Sequence, residues 1–150
     1  MTDDDDGDEE LHPRLMMLSE FDGEIEGRLK FHKSLYQYRN SETDSDDWKF
    51  RREEHGPLDP GFSSRMQSYQ DLEMADVDED NEPHSFRITG KGERFVRGLS
   101  TGLSKLKDGF DEKQEAMRSI ASRNKDRTGS EIEQDEDVQE AKEEPYQTDV

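Results

Sequence analysis

Arg65 and Gln67, flanked by Ser63, Ser64 and Ser68, sit in a stretch, residues 61–70, that contains no acidic side chain. The chain has 150 residues with 40 Asp plus Glu against 21 Lys plus Arg and a net charge of −19, so an acid-free stretch stands out. Arg and Gln make paired hydrogen bonds to guanine and adenine edges, and Ser bonds bases or phosphates. The plainer explanation is a solvated helix face, which polar residues also supply. A second group of cations lies upstream: Arg28, Lys30, Lys33 and Arg39, then Lys49, Arg51 and Arg52. Residues 27–65 hold eight bases and seven acids, a nearly neutral island suited to phosphate contact. Pairing with Glu53, Glu54 and the acids of 44–47 is the alternative role for these cations. Against both groups stands the acidic run at 78–83, where Asp78, Glu79, Asp80 and Glu82 would repel phosphates. In molar salt the Debye length shrinks to about 3 Å, so that repulsion fades and non-electrostatic contacts must carry binding. An acidic run of this kind equally suits a protein partner.

Metal and catalytic chemistry find no suitable spacing. Asp76, Asp78 and Asp80 are followed by Asn81 where a calcium loop needs Gly, and the twelfth position is Arg87 rather than Glu. His12, His32, His55 and His84 are scattered, with no His-Glu-x-x-His pair and no glycine-rich phosphate loop or G-x-S-x-G turn. Absence of cysteine excludes disulfides, thiolate zinc sites and cysteine nucleophiles. We therefore expect no enzyme, no metal and no cofactor. No apolar run approaches the ~20 residues of a membrane span. Residues 1–10, with seven acids and no base, are the reverse of a secretory signal. The expectation is a cytoplasmic protein without a membrane partner.

The elements that position these side chains follow from charge distribution and hydrophobic periodicity. Only 27% of residues are hydrophobic and 41% are charged, which approaches the composition of disordered chains. The acids are concentrated at the ends, −7 over 1–10 and −8 over 126–150, while residues 84–125 carry +5. This predicts a folded centre between a disordered acidic arm at 1–10 and a disordered acidic tail at 124–150. Leu11, Leu15 and Leu18 predict a first helix, with Pro13 in its first turn. Ile25, Leu29, Leu35 and Tyr36 predict a second helix, 25–38. The alternation of residues 48–51 predicts a short strand, and His55-Gly56-Pro57 a turn. Phe62, Met66, Tyr69 and Leu72 give a third helix one apolar face. Residues 74–77 and 84–88 predict two strands joined by the acidic tip. Three helices followed by a hairpin is the winged helix-turn-helix arrangement, so the fold expected is α+β and mostly helical, over 11–98.

From Val96 the apolar positions Leu99, Leu103, Leu106, Phe110, Met117 and Ile120, with Lys113, keep a 3-4 spacing without a slip. That is a coiled-coil seam of about three heptads and predicts a long C-terminal helix, here placed at 99–123 beyond the domain. Leu103, Leu106, Phe110, Met117 and Ile120 become candidates for homodimerisation; folding of the first heptad onto the first helix is the competing arrangement. Gly98, Gly102 and Gly109 weaken the helix by up to about 1 kcal/mol each.

Three segments resemble the small YwgA-type winged-helix proteins of archaea and bacteria. Glu24-Ile25-Glu26-Gly27-Arg28-Leu29-Lys30-Phe31-His32-Lys33-Ser34-Leu35-Tyr36 is similar to one of that family's segments, with His32 replacing a glutamine. His55-Gly56-Pro57-Leu58-Asp59-Pro60 resembles its turn into the third, with Asp59 replacing a serine. Phe86-Arg87-Ile88-Thr89-Gly90-Lys91-Gly92 resembles the ending of its wing. The resemblance implies a winged-helix fold, a DNA-binding or regulatory role and no catalysis. With the acidic composition, it points to a halophilic transcription regulator binding double-stranded DNA as a homodimer. The alternative is a winged-helix protein-interaction module, antitoxin-like or accessory.

Overall fold

The computed structural model describes residues 11–41 and 48–150; the acidic arm at 1–10 and the acidic stretch 42–47 lie outside them. In chain order the elements are α1 (Pro13–Glu20), β1 (Glu24–Glu26), α2 (Arg28–Ser41), β2 (Arg51–Glu53), β3 (Gly56–Leu58), α3 (Phe62–Asp71), β4 (Ala75–Asp78), β5 (Ser85–Ile88), α4 (Gly90–Leu106), α5 (Phe110–Asn124), α6 (Gly129–Glu133) and α7 (Glu136–Lys142). The class is α+β and mostly helical.

β1, β5 and β4 form an antiparallel sheet in that order, with Phe86 opposite both Ile25 and Val77. Phe31 of α2, Phe62 of α3 and Phe86 of β5 are buried and meet edge to face, with ring centroids 4.8–5.4 Å apart. Each such pair contributes about 0.5–1.5 kcal/mol beyond its buried area. This triangle fixes α3 and the β4–β5 hairpin against α2.

The second helix begins later than its apolar pattern predicts. Ile25 is buried between exposed Glu24 and Glu26, an alternation that pairs with β5, and Gly27 at φ 107° turns the chain into α2. Residue 48 makes only a single bridge, and the strand begins at Arg51. The predicted turn at 55–57 overlaps β3, whose Pro57 lies opposite Arg52, and the chain turns at residues 54–55 instead.

The expected long helix is broken. α4 ends at Leu106, Gly109 adopts φ 85°, and α5 runs back beside α4, with Gln114 Nε2 donating to Ser100 Oγ at 3.1 Å. Apart from Leu106, which is exposed at the end of α4, the spacing continues through the break because both helices present an apolar face to the same core. α5 packs on α1 and α2, and Phe110, Met117 and Ile120 are buried there.

Residues 124–150 are folded, contrary to the disordered tail that their charge predicts. Ile132 and Val138 are both 0% exposed, and Ala141 is buried. Thr128 and Glu131 form a reciprocal capping box at the start of α6. Two of the tail's carboxylates are ion-paired: Asp135 binds Arg127 at 2.6 Å, and Glu133 binds Lys142 and Lys33. Its last residues run alongside β2, with the Val150 N–H donating to Phe50 O at 2.8 Å. The Arg127–Asp135 and Lys142–Glu133 pairs flank the buried Ile132, Val138 and Ala141.

Candidate functional site

Phe62, Met66 and Tyr69 hold α3 against the core, and Ser63, Ser64, Gln67 and Ser68 face solvent, as their spacing predicts. Gln67 Nε2 donates to Asp71 Oδ1 at 3.0 Å, and the Ser68 hydroxyl donates to Ser64 O at 3.2 Å, so this face is partly self-bonded. Arg65 is half-buried on the flank. Burial first, and the nearby Arg65 charge second, lower the pKa of His12. His12 shares a 2.8 Å hydrogen bond with the Tyr69 hydroxyl and stands edge-on to Phe95 of α4, so it joins α3 to α4.

The start of α3 is anchored by a buried polar cluster. Asp59 accepts from Arg14 Nε and Nη2 at 2.6 and 3.0 Å, from Trp48 Nε1 at 3.2 Å and from the Gly61 N–H at 3.1 Å. The Asp59 N–H donates to His32 Nδ1 at 2.9 Å. Burial pushes the His32 pKa down to about 3, so its imidazole is neutral and its Nδ1 is free to accept. The position where a serine was expected from the family resemblance therefore carries the anchoring carboxylate.

The upstream cations do not form one phosphate-binding surface. Arg28 lies between α3 and the hairpin, donating to Glu79 at 2.5 Å and sitting over the Phe62 and Phe86 rings. Lys30 donates to Lys125 O at 2.9 Å. Lys33 is 1% exposed, donates to Gly129 O at 3.1 Å and pairs with Glu133; burial lowers its pKa. Its predicted phosphate role is incompatible with that burial. Arg52 donates to Lys142 O at 2.8 Å and holds the tail, and Arg39 donates to Trp48 O and Val150 O. Arg51 and Lys49 remain exposed. The reason is common to all the engaged residues: the folded tail and the hairpin supply carbonyls and carboxylates from far along the chain.

The hairpin beside α3 is acidic, with Asp76, Asp78, Glu79, Asp80 and Glu82 all exposed. Asp78 accepts from the Asn81 side chain at 3.1 Å and from the Asp80 N–H at 3.0 Å, which lower its pKa and shape the tip. A shallow groove of about 150 Å³ separates hairpin and helix, lined by Arg28, Ser63, Gln67, Val77 and Glu79 among others.

Of the residues expected to dimerise, Phe110, Met117 and Ile120 are consumed by the chain's own core, correcting their assignment to a second copy. Leu103 is half-buried against the core and Leu106 is 87% exposed. The cationic face of α4 went unrecognised in the sequence. Lys91, Arg94, Arg97 and Lys105 are exposed, have no ion-pair or hydrogen-bond partner among the described residues, and residues 94–107 contain no acid. The signal was available: that stretch is longer than the acid-free run around α3. Among the described residues no group of His, Asp or Glu is arranged to hold a metal ion, and no helix is long and apolar enough to cross a membrane. Comparison of the chain with protein-family models, curated proteins and solved structures finds no match.

Proposed function

We propose that residues 11–106 form a winged helix-turn-helix domain of the YwgA kind, that it binds double-stranded DNA through α3, and that the protein is a transcriptional regulator in a salt-rich cytoplasm. The order α1-β1-α2-α3-β4-β5 and the sheet order β1-β5-β4 support the fold reading, with β4–β5 as the wing and β2–β3 as an insertion. The observation that carries the function is the solvent face of α3. Ser63, Ser64, Gln67 and Ser68 are exposed, Arg65 is on the flank, and no acid occurs before Asp71. Such side chains read base edges, at about 1–3 kcal/mol per well-made bidentate pair. The test is selection of bound sequences from a random duplex library in ~2 M KCl, followed by titration of the selected duplex. Arg65→Ala and Gln67→Ala should each weaken binding by roughly tenfold or more with unchanged circular dichroism. Wild-type affinity in both variants would end the α3 reading.

One observation favours a protein partner instead. The Arg28–Glu79 pair occupies the groove between α3 and the hairpin and neutralises a cation that phosphate would need. Glu79→Gln releases Arg28; tighter DNA binding by that variant supports the DNA reading. Absence of DNA binding by both forms favours the protein-partner reading. A homodimer would use the α4 edge at Leu103 and Leu106. A dimer in light scattering that becomes monomeric in Leu106→Glu supports it, and a wild-type monomer removes it.

A further inference from the structure

We propose that the solvent face of α4 is a second polyanion-binding surface and that its ligand is the sugar-phosphate backbone of DNA. This rests on the reading of the chain as a DNA-binding protein, but not on α3 as the element that reads sequence.

Lys91, Arg94, Arg97 and Lys105 fall on one side of α4, within a strip about 120° wide at 3.6 residues per turn. From first to last they span about 21 Å at 1.5 Å per residue, the length over which one strand of duplex presents about six phosphates. None of the four is neutralised by a neighbour among the described residues, although the chain as a whole carries −19. Several cations elsewhere are engaged, Arg28 by Glu79, Arg127 by Asp135, Lys142 by Glu133 and Lys125 by Asp22, whereas these four lie together on one helix face. The one acid in α4, Glu93, points away from the strip and accepts from the Ser19 hydroxyl at 2.8 Å. Gly98 and Gly102 lie between the cations, and a Cβ added at either would meet nothing within 4 Å. The helix backbone is therefore bare at the centre of the strip, where a bulky ligand can approach closely.

The chemistry of the strip separates DNA from other anions. Protein hot spots set Trp, Tyr or Arg in well-packed, desolvated pockets. Lys91, Arg94, Arg97, Gly98, Thr101 and Lys105 include no aromatic or apolar side chain, and the two arginines stand exposed on a convex helix face. An anionic membrane binds a basic helix by taking up its apolar face. Here Val96 is buried, and Leu99 and Leu103 pack on the core, so most of that face is already occupied. What remains is charge spread along one side of the helix, a footprint suited to phosphate-backbone binding.

The experiment compares wild type with a Lys91→Gln, Arg94→Gln, Arg97→Gln, Lys105→Gln variant by fluorescence anisotropy on a mixed-sequence duplex across a KCl series. Circular dichroism checks that the variant is folded. The expected result is at least a tenfold loss of affinity at the lowest salt, and a log-affinity against log-salt slope shallower by up to about 3.6, at ~0.9 per phosphate contact. Unchanged affinity and slope overturn the proposal. So does equal or tighter binding of poly-glutamate or of phosphatidylserine vesicles, which assigns the strip to acidic protein or membrane. Arg65→Ala and Gln67→Ala are titrated in parallel. If they lose sequence preference but keep the wild-type salt slope, both surfaces stand. If only the α4 variant loses binding, the α4 surface stands and α3 is not the reader; if only the α3 variants do, the α4 proposal falls alone. A wild type that binds no duplex at any salt overturns both.

Discussion

Arg14 and Asp59, 45 residues apart, form a two-point ion pair with both side chains at 0% exposure, and the carboxylate also accepts from the Trp48 indole and the Gly61 N–H. The pair ties α1 to the loop that starts α3. Removing one member leaves the other charged and buried, which costs about 3–5 kcal/mol. Asp59→Ala should therefore lower stability by that amount in urea titration at high salt, while the double variant Arg14→Met, Asp59→Leu should lose distinctly less. Equal losses in the two would mean that the ion pair is not the source of the effect.

His32 makes stability depend on pH. Its folded pKa is about 3, lowered by burial from 6.5, so the native state keeps the imidazole neutral while the unfolded chain takes up a proton below pH 6.5. Its contribution is complete above pH 6.5 and declines as pH falls from there toward 3, at up to about 1.4 kcal/mol per pH unit. Urea midpoints at pH 7.5 and 4.5 should differ, and the His32→Gln variant should show a smaller difference. An identical pH dependence in that variant would refute the assignment.

The acidic tail is part of the folded unit. Ile132→Ala should destabilise the whole protein by about 2–5 kcal/mol, because it opens a cavity at a fully buried site. Truncation after residue 128 should expose Lys33 and Arg52, which lose Gly129 O, Glu133 and Lys142 O as partners. Thermal melting of both variants checks this; a truncated protein with the wild-type melting temperature would show that the tail is dispensable.

Salt should stabilise the fold. With a net charge of −19, self-repulsion is strong at low ionic strength and is screened as the Debye length shrinks. Melting temperature should rise between ~0.1 M and ~2 M KCl. A melting temperature that does not change would remove the argument for a salt-adapted protein.

The sequence alone determined which side of α3 and of the hairpin strands faces inward, except that Leu72, expected on the apolar face of α3, caps the helix and is 52% exposed. Phe62, Met66 and Tyr69 located α3 and exposed Ser63, Ser64, Gln67 and Ser68, and the apolar residues around the acidic tip located β4 and β5. These are short-range consequences of helix and strand periodicity. β1 escaped because three residues with one buried Ile carry too little pattern, and only pairing with β5, about 60 residues away, makes them a strand. The unbroken spacing from Leu103 past Leu106 to Phe110 hid a reversal of the chain and left Leu106 exposed, since periodicity records apolar positions but not what buries them. Tertiary structure alone decided the fate of each charge. Lys33 meets Glu133, 100 residues away, Arg52 meets Lys142 O, 90 away, and Arg28 meets Glu79, 51 away. A free cation and a paired one look the same in sequence; the difference is whether a distant acceptor folds to within hydrogen-bonding reach, and for Lys91, Arg94, Arg97 and Lys105 none among the described residues does.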